Sequence, residues 1–155
     1  MDKDHKTMPD TTPIKERALS FIATRQHHLL ETAEDYTEMV ADLIASKGQA
    51  RTCDIAKRMG ISHVTALKTI RRLQDKGYLE TSMHKPITLT SKGEELAVFS
   101  KKKHQVLMDF LTKLGVPEDI AAIDVEGMEH HVSHTTLEVL EKHIQSLMKE
   151  EPEKP

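Results

Sequence analysis

The stretch "TCDIAKRMGISHVTALKTIRRLQDKG", residues 52–77, decides the fold. Two short amphipathic segments flank the turn "MGIS", and Gly60 stands where a positive φ ends the first of them. Ser62 is placed to cap the second segment, and Ala66, Ile70 and Leu73 then recur on one helical face. A helix, a tight turn and a second helix make a helix-turn-helix, whose second helix enters the DNA major groove. Downstream, "YLETS" (78–82) and "ITLT" (87–90) read as two short strands around the turn "MHKP". Upstream, "TAEDYTEMVADLIASKG" (32–48) predicts a helix with Thr32 as cap and Asp35 closing a capping box. Its apolar stripe is Tyr36, Met39, Val40, Leu43 and Ile44, and Gly48 ends it. Helix, helix, turn, helix and hairpin is the order of a winged helix-turn-helix.

Beyond the hairpin the pattern is helical throughout. Ser91 with Glu94 offers a capping box and opens a long helix through Leu114, which Gly115 stops. Pro117 starts a helix carrying "DVEGMEHHVS" (124–133), and Ser133 caps a last helix running to about Lys149. At the other end Thr12 and Pro13 suit a helix start, so residues 13–31 are expected to form a helical arm after a polar, disordered 1–11. The chain is thus expected to be mainly α. An arm over 1–31, partly disordered or helical, precedes a winged helix-turn-helix domain over 32–97. An all-helical dimerisation and metal-binding domain follows over 98–150, then a disordered tail over 151–155.

The bulk properties narrow the function. At 155 residues, with 37% hydrophobic and 30% charged residues, the chain is long enough for a core and too apolar for disorder. No apolar run approaches the ~20 residues of a membrane span, and "MDKDHKTMPD" lacks the apolar centre of a signal peptide. One cysteine excludes an intramolecular disulfide framework and a multi-cysteine zinc site, and suits the cytoplasm. That residue, Cys53, is expected to pack in the core of the first domain. Residues 51–103 carry twelve Lys/Arg against five Asp/Glu, whereas 104–155 carry four against eleven. A basic middle suits a polyanion, and the acidic end suits cations.

On the second helix of the motif, Ala66, Thr69, Ile70 and Leu73 face inward and leave Ser62, His63, Val64, Thr65, Lys68 and Arg71 outward. The N-terminal residues of such a helix touch base edges, and basic residues further along touch phosphates. Ser62, His63 and Thr65 are therefore the base-edge candidates. Lys68, Arg71 and Lys85 at the hairpin tip are the backbone candidates. An ordinary solvated basic helix in a protein-binding module has the same pattern.

Glu126, Glu129 and His130 stand at i, i+3 and i+4, on one face of a helix, while the adjacent His131 is turned away. Asp35 and Glu38 are spaced i, i+3 on the first helix, and His104 lies midway along the long one. Three helices thus offer oxygen and imidazole donors without thiolate, a set suited to Mn²⁺ or Fe²⁺. Four carboxylates exceed the need of one divalent ion and balance two better. Each piece also has a plain reading: a solvated polar face for "ExxEH", a capping acid for Asp35, a surface residue for Glu38, a hydrogen-bonded core histidine for His104.

The runs "AEDYTEMV", "GQARTCDIAKRMGIS", "LTSKGEELA" and "LGVPEDIAAIDVEGMEHHVS" resemble the diphtheria toxin repressor family, and within it the short manganese transport regulators. The resemblance covers about residues 32–140. It implies a dimeric, metal-activated transcriptional repressor that binds double-stranded operator DNA and controls manganese transport genes. It also implies Asp35, Glu38, His104, Glu126, Glu129 and His130 as ligands of Mn(II). Iron-responsive members typically carry Met in place of Asp35 and Cys in place of Glu129, so acids at both positions favour manganese. Val64, where relatives often have Pro, and the tip "MHKPIT" depart from the family pattern. Metal binding would tie the Asp35/Glu38 helix to the other two. An iron- or zinc-responsive repressor on the same scaffold is the nearest alternative. A dinuclear metallohydrolase is a remoter one, with no evident proton donor.

Overall fold

The computed structural model describes the backbone of residues 14–150, and their side chains except those of 14–17, 20, 23 and 148–150. The expectations for residues 1–11, for the Thr12–Pro13 start and for the tail over 151–155 lie outside the described residues. Two compact units divide the chain, residues 1–32 and 33–155. Among the described residues there are helices α1 (Ile14–Lys47), α2 (Thr52–Met59), α3 (His63–Asp75), α4 (Ser91–Lys113), α5 (Glu118–Met128) and α6 (His134–Glu150). A two-stranded sheet pairs β1 (Leu79–Glu80) with β2 (Thr88–Leu89).

The first difference from expectation lies in α1. The sequence suggests a break at Thr32, but the helix is continuous there and the Thr32 hydroxyl donates to the carbonyl of His28 (2.8 Å). Threonine in mid-helix bonds back to i−4 in this way, so its presence does not require an N-terminus. Asp35 consequently closes no capping box and is left for other work.

The helix-turn-helix forms as its residues dictate. Gly60 adopts φ 66°, and the N–H of Ile61 returns to the carbonyl of Ala56 (3.0 Å), which closes α2. The Ser62 hydroxyl accepts the N–H of Thr65 (3.1 Å) and opens α3. Leu79 pairs with Leu89 and Glu80 with Thr88 in antiparallel register, and an isolated bridge joins Ala50 to Ile87. The hairpin is thereby fastened to the segment between α1 and α2. The core under these elements is apolar and tight: Leu43, Ile55, Ile70, Leu73, Leu79 and Ile87 are all fully buried.

At the start of α4 the cap is Thr90, not Ser91. Its hydroxyl accepts the N–H of Gly93 (3.1 Å) and reaches the carbonyl of Gly77 (2.6 Å). The reason is the close approach of this turn to Tyr78: a Cβ on Gly93 would lie 2.1 Å from the Tyr78 carbonyl oxygen. The 97/98 boundary set from sequence falls inside α4. A second, smaller cluster of Val106, Leu137 and Ile144 joins α4 to α6, with Phe99, Phe110, Val132 and Leu140 around it. Pro117 caps α5, and the Ser133 hydroxyl accepts the N–H of Thr136 (3.2 Å) at the start of α6, as expected.

Candidate metal centre and nucleic-acid interface

Asp35, Glu38, His104, Glu126, Glu129 and His130 line one cavity of about 290 Å³, together with Met39, Asp42 and Met59. Helix α5 stops at Met128, so Glu129 and His130 lie just past its end rather than on its face. Glu129 keeps helical angles (φ −59°, ψ −33°), which carries it to the side on which Glu126 stands. His131 does not line the cavity.

The donor atoms are close. Nε2 of His130 lies 3.4 Å from Oδ1 of Asp35 and 3.6 Å from Oε1 of Glu129. One ligand atom from each of these three residues lies within 4.8 Å of the others. Nδ1 of His104 is 2.9 Å from Oε2 of Glu129. Glu38 accepts from the hydroxyl of Ser100 (2.8 Å). Burial pushes the Asp35 carboxyl above its ordinary value, and the neighbouring carboxylates of Glu129, Glu34 and Glu126 push it further against the pull of His130. The His130 imidazole is also raised: burial opposes its charge, but the hydrogen bond to Glu34 and the charges of Asp35, Glu129 and Glu34 outweigh that. Crowded acids around imidazole nitrogen make a place that gains from positive charge.

Sequence reasoning missed Glu34 and Lys103. Their side chains are only 5% and 4% exposed, and Lys103 Nζ donates to Glu34 Oε1 (2.8 Å). The other oxygen of Glu34 accepts from Nδ1 of His130 (3.1 Å). Glu34 comes one residue before Asp35, and helical spacing alone assigns it no partner. Lys103 was legible only as the residue beside His104. With Ser100–Glu38 and Lys101–Asp42, this pair forms a seam between α1 and α4 along positions 34, 38 and 42. The helices that metal was expected to tie are therefore already joined by the protein's own contacts.

A second surface belongs to α3 and the hairpin. Ser62, His63, Val64, Thr65, Lys68 and Arg71 are all exposed, as the helical face predicts. The hydroxyls of Ser62 and Thr65 are engaged with each other (2.8 Å), which leaves His63 and Val64 as the projecting side chains of the first turn. His63, Arg71 and Lys85 line a cleft of about 510 Å³ between α3 and the hairpin, whereas Ser62, Thr65 and Lys68 lie outside it. Arg51 and His84 also line that cleft and were not singled out from sequence. Cys53 lines it too and is exposed, against the expectation of a packed core residue. On α2 the buried positions are Ile55 and Ala56, and Cys53 lies about 200° of helical rotation from Ile55.

Residues 28–86 match the iron dependent repressor N-terminal DNA binding domain, and residues 90–155 match the iron dependent repressor metal binding and dimerisation domain. Over 133 residues the chain is 40% identical to the transcriptional regulator MntR of Escherichia coli O6:H1, covering 86% of each chain. The chain belongs to the iron-dependent repressor family. The HTH-type transcriptional regulator MntR of Bacillus subtilis is 35% identical over 105 residues, 68% of this chain and 74% of that one. A solved manganese-dependent transcriptional repressor in complex with manganese has a TM-score of 0.65 at 29% identity, over 73% of this chain and 52% of that one. The match thus spans about half the length of that structure. Iron-dependent repressors are transcriptional regulators, so the carboxylate–imidazole cavity is not a hydrolase centre.

Proposed function

We propose that the chain is a manganese-responsive repressor, a homodimer that binds double-stranded operator DNA when loaded with Mn²⁺ and controls manganese transport genes. The reading domain extends over residues 32–97 and the sensing and dimerising domain over 98–150. The observation that carries this reading is the convergence of six donors from α1, α4 and the end of α5 on one cavity. The names of the MntR relatives support the same metal.

Asp35, Glu38, His104, Glu126, Glu129 and His130 are the ligands in this reading, for two ions per subunit. The donor set fits: four carboxylates and two imidazoles without thiolate suit Mn²⁺ or Fe²⁺ rather than softer ions. Bound there, Mn²⁺ supplies the positive charge that the crowded carboxylates lack. Asp35 and Glu38 stand on the helix whose Val40 and Leu43 pack into the reader's core, so relief of their repulsion is transmitted to the reader as a whole. Ser62, His63 and Thr65 meet base edges, and Lys68, Arg71 and Lys85 meet phosphates, with Arg51 beside them. Exposed Leu114, Ile120 and Ile123 at and after the end of α4 supply apolar area for a partner copy. Two recognition helices about 34 Å apart then match half-sites one turn apart.

The test uses a randomised DNA duplex pool, selected on the full chain with Mn²⁺, and anisotropy titrations of the selected duplex under buffered Mn²⁺, Fe²⁺ and Zn²⁺. The expected result is tight binding with Mn²⁺ and a large loss on chelation. Linkage requires the same duplex to tighten Mn²⁺ binding by the same factor. A response to Fe²⁺ alone would replace manganese with iron, and equal Mn²⁺ affinity with and without duplex would remove the coupling.

A further inference from the structure

We infer that Glu34 is a positioning residue for the metal centre: its buried carboxylate, anchored by Lys103, holds the ring of His130 so that Nε2 alone faces the cavity. This rests on the reading of the cavity as a metal site. Glu34 does not line that cavity. Its two oxygens are divided between Lys103 Nζ (2.8 Å) and His130 Nδ1 (3.1 Å).

The chemistry follows from the imidazole. A neutral ring has one N–H donor and one lone pair. A carboxylate at Nδ1 requires the proton there, which leaves the lone pair at Nε2, the nitrogen beside Asp35 and Glu129. The carboxylate partner also raises the basicity of the ligating nitrogen. His104 is arranged differently, since its Nδ1 contacts Glu129, itself one of the six cavity donors.

Lys103 makes the arrangement possible. A carboxylate as buried as Glu34 needs a counter-charge, and the ammonium supplies it from α4 while also lying 5.6 Å from the centre of the Phe99 ring. A buried ion pair is a poor source of stability, because apolar residues of similar volume commonly serve as well. Its value here is directional: it carries a hydrogen-bond acceptor to the back of a ligand. Glu34, Lys103 and His130 therefore act as one orienting chain running from α4 through α1 to the turn after α5.

The double variant Glu34→Leu/Lys103→Met separates positioning from folding. It removes the buried pair without stranding either charge, so the metal-free protein is expected to keep its melting temperature. Calorimetric titration of the full chain with Mn²⁺ is expected to show binding weakened about 10- to 100-fold. Glu34→Gln, which keeps the shape and loses the charge, is expected to weaken Mn²⁺ in the same range. Wild-type affinity in the double variant would overturn the inference. A second measurement needs no variant and no metal: ¹⁵N spectra of the metal-free wild type should place the proton of the neutral His130 ring on Nδ1. A proton on Nε2 would overturn the inference even if the double variant did not fold. If the wild type bound no Mn²⁺ while its His130 carried the Nδ1 proton, the metal reading would fail and the orienting chain would stand.

Discussion

The reader and the sensor seam are held together by opposite kinds of chemistry. Under α2, α3 and the hairpin, every fully buried large side chain is aliphatic, from Leu43 to Ile87. The seam between α1 and α4 instead buries polar side chains, Glu34, Ser100 and Lys103, with Glu129 close by. Apolar packing is insensitive to ions and largely to pH, so the reader's shape is fixed once it folds. A seam of charges and hydrogen bonds depends on what neutralises it. The part that must recognise a fixed DNA geometry is made rigid, and the part that must respond to a cation is made of groups that feel one.

Breaking the seam tests this contrast most strongly. Lys103→Ala leaves the Glu34 carboxylate buried with only His130 as partner, and is expected to cost about 3–5 kcal/mol in urea unfolding. Loss of under 1 kcal/mol would mean that water reaches the pair, and the contrast between the two regions would collapse. Leu73→Ala makes the matching cut in the reader, at a side chain with no exposed surface. Its expected cost is about 2–5 kcal/mol from transfer and cavity together. Neither deficit should respond much to salt, since a pair as buried as Lys103–Glu34 is screened little.

A subtler cut lies where α4 leaves the hairpin. Gly93→Ala forces a methyl to within 2.1 Å of the Tyr78 carbonyl oxygen, a backbone atom that cannot swing aside. The expected cost is about 1–3 kcal/mol, the range of overpacking, read from the same unfolding curves. An unchanged midpoint would show that this junction yields, and that the reader is less rigid than its core suggests.

The two regions were also unequally legible in the sequence. Apolar periodicity and turn chemistry are local signals, so Gly60, Ser62, Ala66, Ile70 and Leu73 gave α2, the turn and α3 almost residue for residue. Five of the six cavity donors are legible because spacing of i, i+3 and i+4 is local too, and His104 is legible only by its place midway along the long helix. Glu34 and Lys103 are not, since their meaning is a contact between residues 69 positions apart. The false break at Thr32 and the cap assigned to Ser91 share one cause. Ser and Thr satisfy local hydrogen bonds inside helices as well as at their starts, and only neighbouring backbone, such as Tyr78 beneath Gly93, decides which. Cys53 differs for another reason: about two turns of helix are too few for periodicity to fix which side is inward.

The smallest expected effect comes from the edge of the reader, where a charge pair is exposed rather than buried. Lys47 Nζ donates to Oδ1 of Asp54 (2.7 Å), and that hydrogen bond holds the Asp54 carboxyl below its ordinary value. A depressed carboxyl stabilises the fold fully above the unfolded pKa, about 3.9, and loses that contribution as pH falls through the lower folded value. Lys47→Ala should therefore lower the melting temperature slightly at pH 7, and the difference from wild type should fade below pH 4. High salt at pH 7 should shrink it as well, because the pair is solvated and screened. A difference that persisted at pH 3 would have to come from the lysine stem packing on α2, which would assign this edge to the same apolar rule as the rest of the reader.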